Sequence, residues 1–162
     1  NYFQTHALTI ARHPSETAEY LAMRVLAYCL EYGEGLAFSK GGLSDPDSPA
    51  LEIRDLTGVL LSWIEIGSPE PARLHKAAKA ARRVAVYTHK DAARLVERLA
   101  AADVHRAGQI EIYAVDSDFL AQFVARLDRR LRFDLAVTDR NLYLSLGEET
   151  LSGAVSLHRA GI

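Results

Sequence analysis

The sequence predicts an α/β (α+β) fold: a mixed central sheet flanked by helices, with an antiparallel meander at the C-terminus. Three observations predict it. Windows of helical apolar spacing alternate with short strand-like runs through the middle of the chain. One run, residues 59–66 (VLLSWIEI), is mostly apolar on both alternating faces, as a central strand covered by helices is. The last third carries three β-type segments separated by turn residues.

The elements follow in order. Residues 13–34 read as a first helix, with Pro14 at its first position and Ser15 or His13 as cap. Leu21, Val25, Tyr28 and Cys29 repeat at helical spacing, and Gly33 and Gly35 end the run. Residues 39–49 are a loop by composition. Residues 50–67 read as two strands meeting at Thr57-Gly58. Residues 68–83 form a second helix, with Leu74, Ala77, Ala78 and Ala81 buried and Arg73, Lys76, Lys79 and Arg83 mainly on the other side. Strand "VAVYT", helix "KDAARLVERLAAA", strand "QIEIYAV" and helix "SDFLAQFVARLDR" come next. Three antiparallel strands close the chain, with turns at residues 139–141 and near Glu148-Glu149. Helices between strands imply crossovers, hence a mixed sheet in one domain spanning residues 1–162.

Composition narrows the functions. With 162 residues, 49% hydrophobic, the chain carries one real core. No apolar run reaches the roughly 18 residues of a membrane span. No charged leader followed by an apolar stretch opens the chain, so no signal peptide is expected. The single cysteine, Cys29, cannot form an internal disulfide; it is expected as a buried small hydrophobe in a reducing, cytoplasmic setting. The net charge of −2 excludes a globally basic nucleic-acid binder. Residues 1–70 hold four Lys/Arg against ten Asp/Glu, and the remainder fifteen against eleven, a polarity that fits either ordinary surface charge or a phosphate-facing side.

Glu65 is the residue that asks for a reason. It lies at the C-terminal end of an otherwise buried strand, where an ionised carboxylate is costly unless it is paired or binds a cation. A hard cation such as Mg²⁺ takes carboxylate and water oxygens, and a lysine beside it would position an attacking water. The competing reading is a strand end half in water, or pairing with a lysine or arginine. Glu16 and Glu19, three apart, share a helix face in the first turns, where negative charge also suits the helix dipole. Asp55 sits just before the Thr57-Gly58 turn, a place where Asp is common for local reasons. Lys76 and Lys79 either reach back toward the strand or form a solvated basic face. Zinc-type Cys or His spacing, glycine-rich phosphate loops and a GxSxG elbow are all missing from the sequence.

The strings "ARHPSET", "DLTG", "WIEIGSPE", "RLHKA" and "VAVYT", in that order from Ala11 to Thr88, resemble the bacterial YaeQ family. That family begins with further residues, expected to supply an N-terminal strand that this chain lacks. It looks like a variant of the PD-(D/E)XK nuclease superfamily, with the restriction-endonuclease-like fold. The resemblance implies a Mg²⁺ (or Mn²⁺) site made by a helix glutamate, Glu16 or Glu19, by Asp55, and by Glu65 as the acid of (D/E)XK.

Two positions depart from that pattern. The lysine place after Glu65-Ile66 is Gly67, and Lys76 of the next helix is the candidate substitute. Asp55 falls five residues of strand, about 17 Å, from the position opposite Glu65. Asp47, in the literal Pro46-Asp47 pair, is the reserve acid; the YaeQ pattern places its own "PD" at Pro49-Ala50, where the acid is gone. The resulting expectation is a Mg²⁺-dependent phosphodiester hydrolase acting on nucleic acid, with catalytic Glu65, Asp55, Lys76 and Glu16 and a phosphate-contacting Lys76/Lys79/Arg83 face. The alternative is a catalytically inactive nuclease-fold protein that binds nucleic acid or protein. An unrelated small-molecule enzyme has no motif behind it.

Overall fold

The computed structural model describes residues 2–9, 16–38 and 47–161. The expected Pro14 start, its His13 or Ser15 cap, and most of the 39–49 loop including Pro46 lie outside these residues. Nine strands and four helices are described: β1 (Tyr2–Thr9), α1 (Ala18–Leu30), β2 (Leu36–Phe38), β3 (Leu51–Arg54), β4 (Leu60–Ile66), α2 (Pro71–Ala80), β5 (Arg83–Thr88), α3 (Ala92–Ala101), β6 (Glu111–Val115), α4 (Ser117–Val124), β7 (Arg130–Thr138), β8 (Asn141–Leu146) and β9 (Glu149–His158). A short 3₁₀ turn, Ala107–Gln109, precedes β6.

The strands form one mixed sheet in the order β1-β7-β8-β9-β6-β5-β4-β3-β2. Only β4–β5 and β5–β6 are parallel, because α2 and α3 supply the crossovers that parallel pairing requires. The C-terminal meander β7–β8–β9 is antiparallel and joins the centre through β9 on β6. Its first turn puts Asp139 and Arg140 at positive φ, the two-residue geometry that matches strand twist.

Helices cover both faces. On one side Leu26 of α1 and Phe119 and Phe123 of α4 pack in one cluster with Ile64, Ala85 and Phe133 of the sheet. On the other, α2 and α3 bury Leu74, Leu95 and Leu99 against Trp63, Val84 and Val86. The alternation predicted for β4 is therefore real: Ser62, Ile64 and Ile66 face α1, while Trp63 and Glu65 lie on the α2 side.

Four details differ from the sequence reading. First, β1 and β2 carry too little pattern to be read alone; β1 is defined by its eight-residue pairing with β7. Second, α1 starts at Ala18, with the Thr17 hydroxyl accepting from Tyr20 N at 3.0 Å. Glu16 thus precedes the cap, and it does not share a helix face with Glu19. Third, α1 ends at Leu30, before Gly33. Fourth, α2 stops at Ala80, so Arg83 belongs to β5 and not to the α2 basic face. Its predicted buried stripe, Leu74, Ala77, Ala78 and Ala81, is buried.

Candidate functional site: the acid end of the central strands

Parallel strands β4 and β5 end where α1 begins and where the chain turns into α2. Gly67 makes that turn with φ +93°, donating its N–H to the Tyr87 carbonyl at 2.8 Å. A residue with a side chain is strained in this conformation, which is a backbone reason for glycine at the position where the pattern would place lysine.

Glu65 is 5% exposed and Glu16 is 4% exposed. Each has an arginine. Arg73, on α2, brings Nη2 to 2.9 Å from Glu65 Oε1, and the Trp63 indole N–H donates to the same oxygen at 2.7 Å. Arg73 also donates to the Ser48 carbonyl at 2.6 Å and packs 5.8 Å from the Trp63 ring centre. Arg24 grips Glu16 with two bonds, Nε to Oε2 at 3.0 Å and Nη2 to Oε1 at 3.1 Å. Planar two-bond pairing of this kind is the strong form of carboxylate neutralisation. Tyr20, in the first turn of α1, feels the charge of both acids. Burial pushes its phenol up to about 12, and the Glu65 and Glu16 charges add to the rise against the pull of Arg24 and Arg73.

Lys76, one turn beyond Arg73, does not meet Glu65. Its ammonium pairs with Asp47, beside Ser48 at the approach to β3. Asp47 and Lys76 are thus both at the Glu65 end, linked to it through Arg73. Lys79 is exposed. Ala50 donates its N–H to the Ile64 carbonyl at 3.1 Å, and Leu51 pairs with Ile64, so an alanine stands across from Glu65.

Asp55 is corrected. Its carboxylate stays in the β3–β4 turn, accepting from Thr57 N at 2.9 Å, Thr57 Oγ1 at 2.6 Å and Val59 N at 3.0 Å. The Thr57 hydroxyl, then the Val59 amide, hold it below the usual carboxylate range. It sits opposite Val59, six residues or roughly 20 Å of strand from Glu65. A turn acid held by its own loop is not available to a site at the far end of the hairpin.

Arg83 is corrected as well. It points to the α1 side and is clamped by Glu31 (2.6 and 3.1 Å) and Glu111 (2.8 and 3.1 Å). Tyr87 donates to Glu31, and Tyr113 to Glu111 at 2.5 Å, while the two rings stack at 4.9 Å. Burial opposes the guanidinium charge, yet the two carboxylates outweigh it and raise its pKa. An arginine so neutralised does not serve a phosphate-contacting face.

The sequence reading missed Arg73 as a partner and set it on the outer face of α2. The signal was present: Trp63 and Glu65 share a strand face, and a buried indole N–H and carboxylate both require partners. The Glu31–Arg83–Glu111 clamp had no local signal, because its members are far apart in the chain.

The acid end offers oxygen donors to a divalent cation. Carboxylates from the start of α1, the approach to β3 and the end of β4 are the oxygen donors that a hard ion takes, so the chemistry fits in kind. Their present partners are arginine and lysine, and among the described residues no three His, Cys, Asp or Glu side chains converge to hold a metal ion.

Fold and site together define an α+β protein with a large mixed sheet, four helices and a buried acid–arginine cluster at the ends of its central strands. The family profile of YaeQ protein matches residues 1–155, and the chain belongs to that family. It is 32% identical over 146 residues to the YaeQ protein of Escherichia coli (strain K12), covering 90% of this chain and 80% of that one. Against the Salmonella typhi YaeQ protein the identity is 34% over 147 residues, with the same coverage. The crystal structure of YaeQ protein from Xanthomonas axonopodis pv. citri superposes with a TM-score of 0.83 at 31% identity, covering 96% of this chain and 88% of the other. That of Pseudomonas syringae gives 0.81 at 30%, covering 91% and 82%. Among the described residues no helix is long and apolar enough to cross a membrane.

Proposed function

We propose that this chain is a variant of the PD-(D/E)XK, restriction-endonuclease-like fold, and that its acid end serves metal-dependent phosphodiester hydrolysis on nucleic acid. One observation carries the reading. Two carboxylates with almost no solvent contact, Glu16 from the approach to α1 and Glu65 from β4, are held by arginines at one end of the sheet, with the Asp47–Lys76 pair next to Ser48, whose carbonyl Arg73 also bonds. Burying two acids is costly, and a structural protein gains little from placing both at the mouth of a sheet.

Glu16, Glu65 and Asp47 would hold Mg²⁺ or Mn²⁺ only after exchanging their arginine and lysine partners and moving together, since no three such acids converge among the described residues; Asp47 replaces Asp55 in this role. The ion would polarise the phosphoryl oxygen and acidify a bound water. The chain's own cations do the rest. Lys76 and Arg73, on one face of α2, would neutralise phosphate charge. Arg24 would hold Glu16 in orientation, and Trp63 would fix the Glu65 carboxylate plane. Substrate phosphate is thus an alternative partner for cations that now pair with Asp47 and Glu65.

A second reading has its own observation. Each buried acid already has an arginine, and Ala50 stands across from Glu65. In that reading the fold binds nucleic acid or protein without cleaving it. Calorimetric titration of Mn²⁺ into the wild type, Glu65→Ala and Asp55→Ala separates the two. Saturable binding lost in Glu65→Ala and kept in Asp55→Ala supports hydrolysis. No binding in the wild type supports the non-cleaving module.

A further inference from the structure

A row of rings leads away from the acid end along α1. Tyr20, Arg24 and Tyr28 follow at four-residue spacing on one ridge of the helix, and Tyr32 lies one step further, just past its end. Tyr32 meets Tyr28 edge-on, with ring centres 5.9 Å apart. Phe38 of β2 stacks on Tyr28 at 4.8 Å and 11°. The Arg24 guanidinium lies 5.0 Å from the Phe38 ring centre while it holds Glu16. One side chain therefore joins the rings to the acids. The register places the row too: Phe38 pairs with Leu51, and Leu51 with Ile64, so Phe38 is two strand spacings, about 10 Å, from the residue beside Glu65.

Packing explains Tyr28, which is half-buried. Its neighbours keep more of their surface in solvent. Phe38, on the edge strand β2, keeps 39% of its surface in solvent, and Tyr32, which also meets His6 of β1 edge-on at 5.5 Å, keeps 50%.

We propose that Tyr28, Tyr32 and Phe38 are a stacking platform for the unpaired bases of a single-stranded polynucleotide. The choice of occupant rests on the hydrolytic reading of the acid end, and it names that site's substrate class. Every base has a π-face, so exposed rings with an adjoining guanidinium hold single strands with little sequence preference. A duplex hides those faces in its own stack. An apolar protein helix laid on this row would bury a guanidinium and phenol hydroxyls against groups that cannot pair with them.

The test is anisotropy of an end-labelled oligothymidylate in EDTA, where no metal-dependent cleavage occurs, against the same strand annealed to its complement. Wild type, Tyr32→Ala and Phe38→Leu are compared; the first variant removes an exposed ring, the second keeps apolar bulk without a π-face. The expected result is preference for the single strand and at least about a fivefold loss in each variant, with the Tyr32→Ala unfolding midpoint unchanged. Absent wild-type binding, equal affinity for duplex, or wild-type affinity in both variants would overturn the platform. A separate Mg²⁺ cleavage assay keeps the two readings apart. Cleavage indifferent to both ring variants removes the platform and leaves hydrolysis standing; ring-dependent binding without cleavage does the reverse.

Discussion

Arg73 Nη2 lies 2.9 Å from Glu65 Oε1, and that contact decides how the acid end is held together. Glu65 is at the end of a strand covered on both faces, with Trp63 its same-face neighbour and the indole N–H already spent on it. A buried carboxylate left with one neutral donor is poorly compensated. Arg73→Ala should therefore cost about 3–5 kcal/mol in urea-melt stability, the usual penalty of stranding one member of a buried pair. The double variant Arg73→Ala/Glu65→Ala should recover part of that loss. In the hydrolytic reading, Arg73→Ala also tightens Mn²⁺ binding, because the competing cation is gone. A destabilised protein with weaker Mn²⁺ binding would count against Glu65 as a ligand.

Asp55→Ala should leave Mn²⁺ binding and any cleavage unchanged while lowering the melting temperature at neutral pH. Its carboxylate is fixed by Thr57 and Val59, far from Glu65. The folded pKa is depressed, so the stabilising charge is present above the ordinary carboxylate value and is lost as pH falls through the lower folded value. The melting difference between wild type and variant should accordingly shrink in acid. A difference that grows in acid would contradict the assignment.

Much of this architecture was legible in the chain. The hairpin turn at Thr57-Gly58, the buried stripe of α2, the parallel pair joined by α2 and the C-terminal meander all follow from period and turn chemistry, which act locally. Glu65 stood out because a carboxylate in a doubly covered strand needs a partner. The partner itself was not legible. Arg73 and Lys76 lie on one face of α2, and only the tilt of that helix against β4 gives Arg73 to Glu65 and Lys76 to Asp47. Asp55 misled in the opposite way: an acid in the expected place in the pattern is held by three short local bonds. The Glu31–Arg83–Glu111 clamp joins α1, β5 and β6 and has no local trace, and β1 is a strand because β7 pairs with it.

That clamp yields a prediction of its own. Arg83→Ala leaves two nearly buried carboxylates facing each other, at a cost of about 3–5 kcal/mol. Glu111 is held low at present: burial would raise it, but the Arg83 and Tyr113 hydrogen bonds prevail. Removing Arg83 takes away that lowering and leaves burial to raise Glu111, so the variant should regain stability as pH falls where the wild type loses it. Urea melts across the mildly acidic range test this, and parallel curves for the two proteins would sink it.

Tyrosine ionisation gives the last test and reads several parts of the fold at once. Seven tyrosines are present. Four have raised pKa values: Tyr20, to about 12, Tyr28, Tyr87 and Tyr113. Burial is the largest cause in each, with carboxylates adding to it at Tyr20, Tyr87 and Tyr113. A group with a raised folded pKa gives stability that is full below the unfolded value, near 10 for a phenol, and fades as pH rises through the folded value. Alkaline absorbance titration should therefore show a late phase from Tyr20, Tyr28, Tyr87 and Tyr113 that coincides with loss of helical circular dichroism. Cys29, buried and pushed up to about 12, should become reactive to thiol reagents only in that late phase. Tyr20→Phe should remove one tyrosine from the late phase without lowering the onset of unfolding, since a phenyl ring keeps the packing and takes no charge. An unchanged late amplitude in Tyr20→Phe would mean that Tyr20 ionises early, and so is not buried against α1's neighbours as the fold places it.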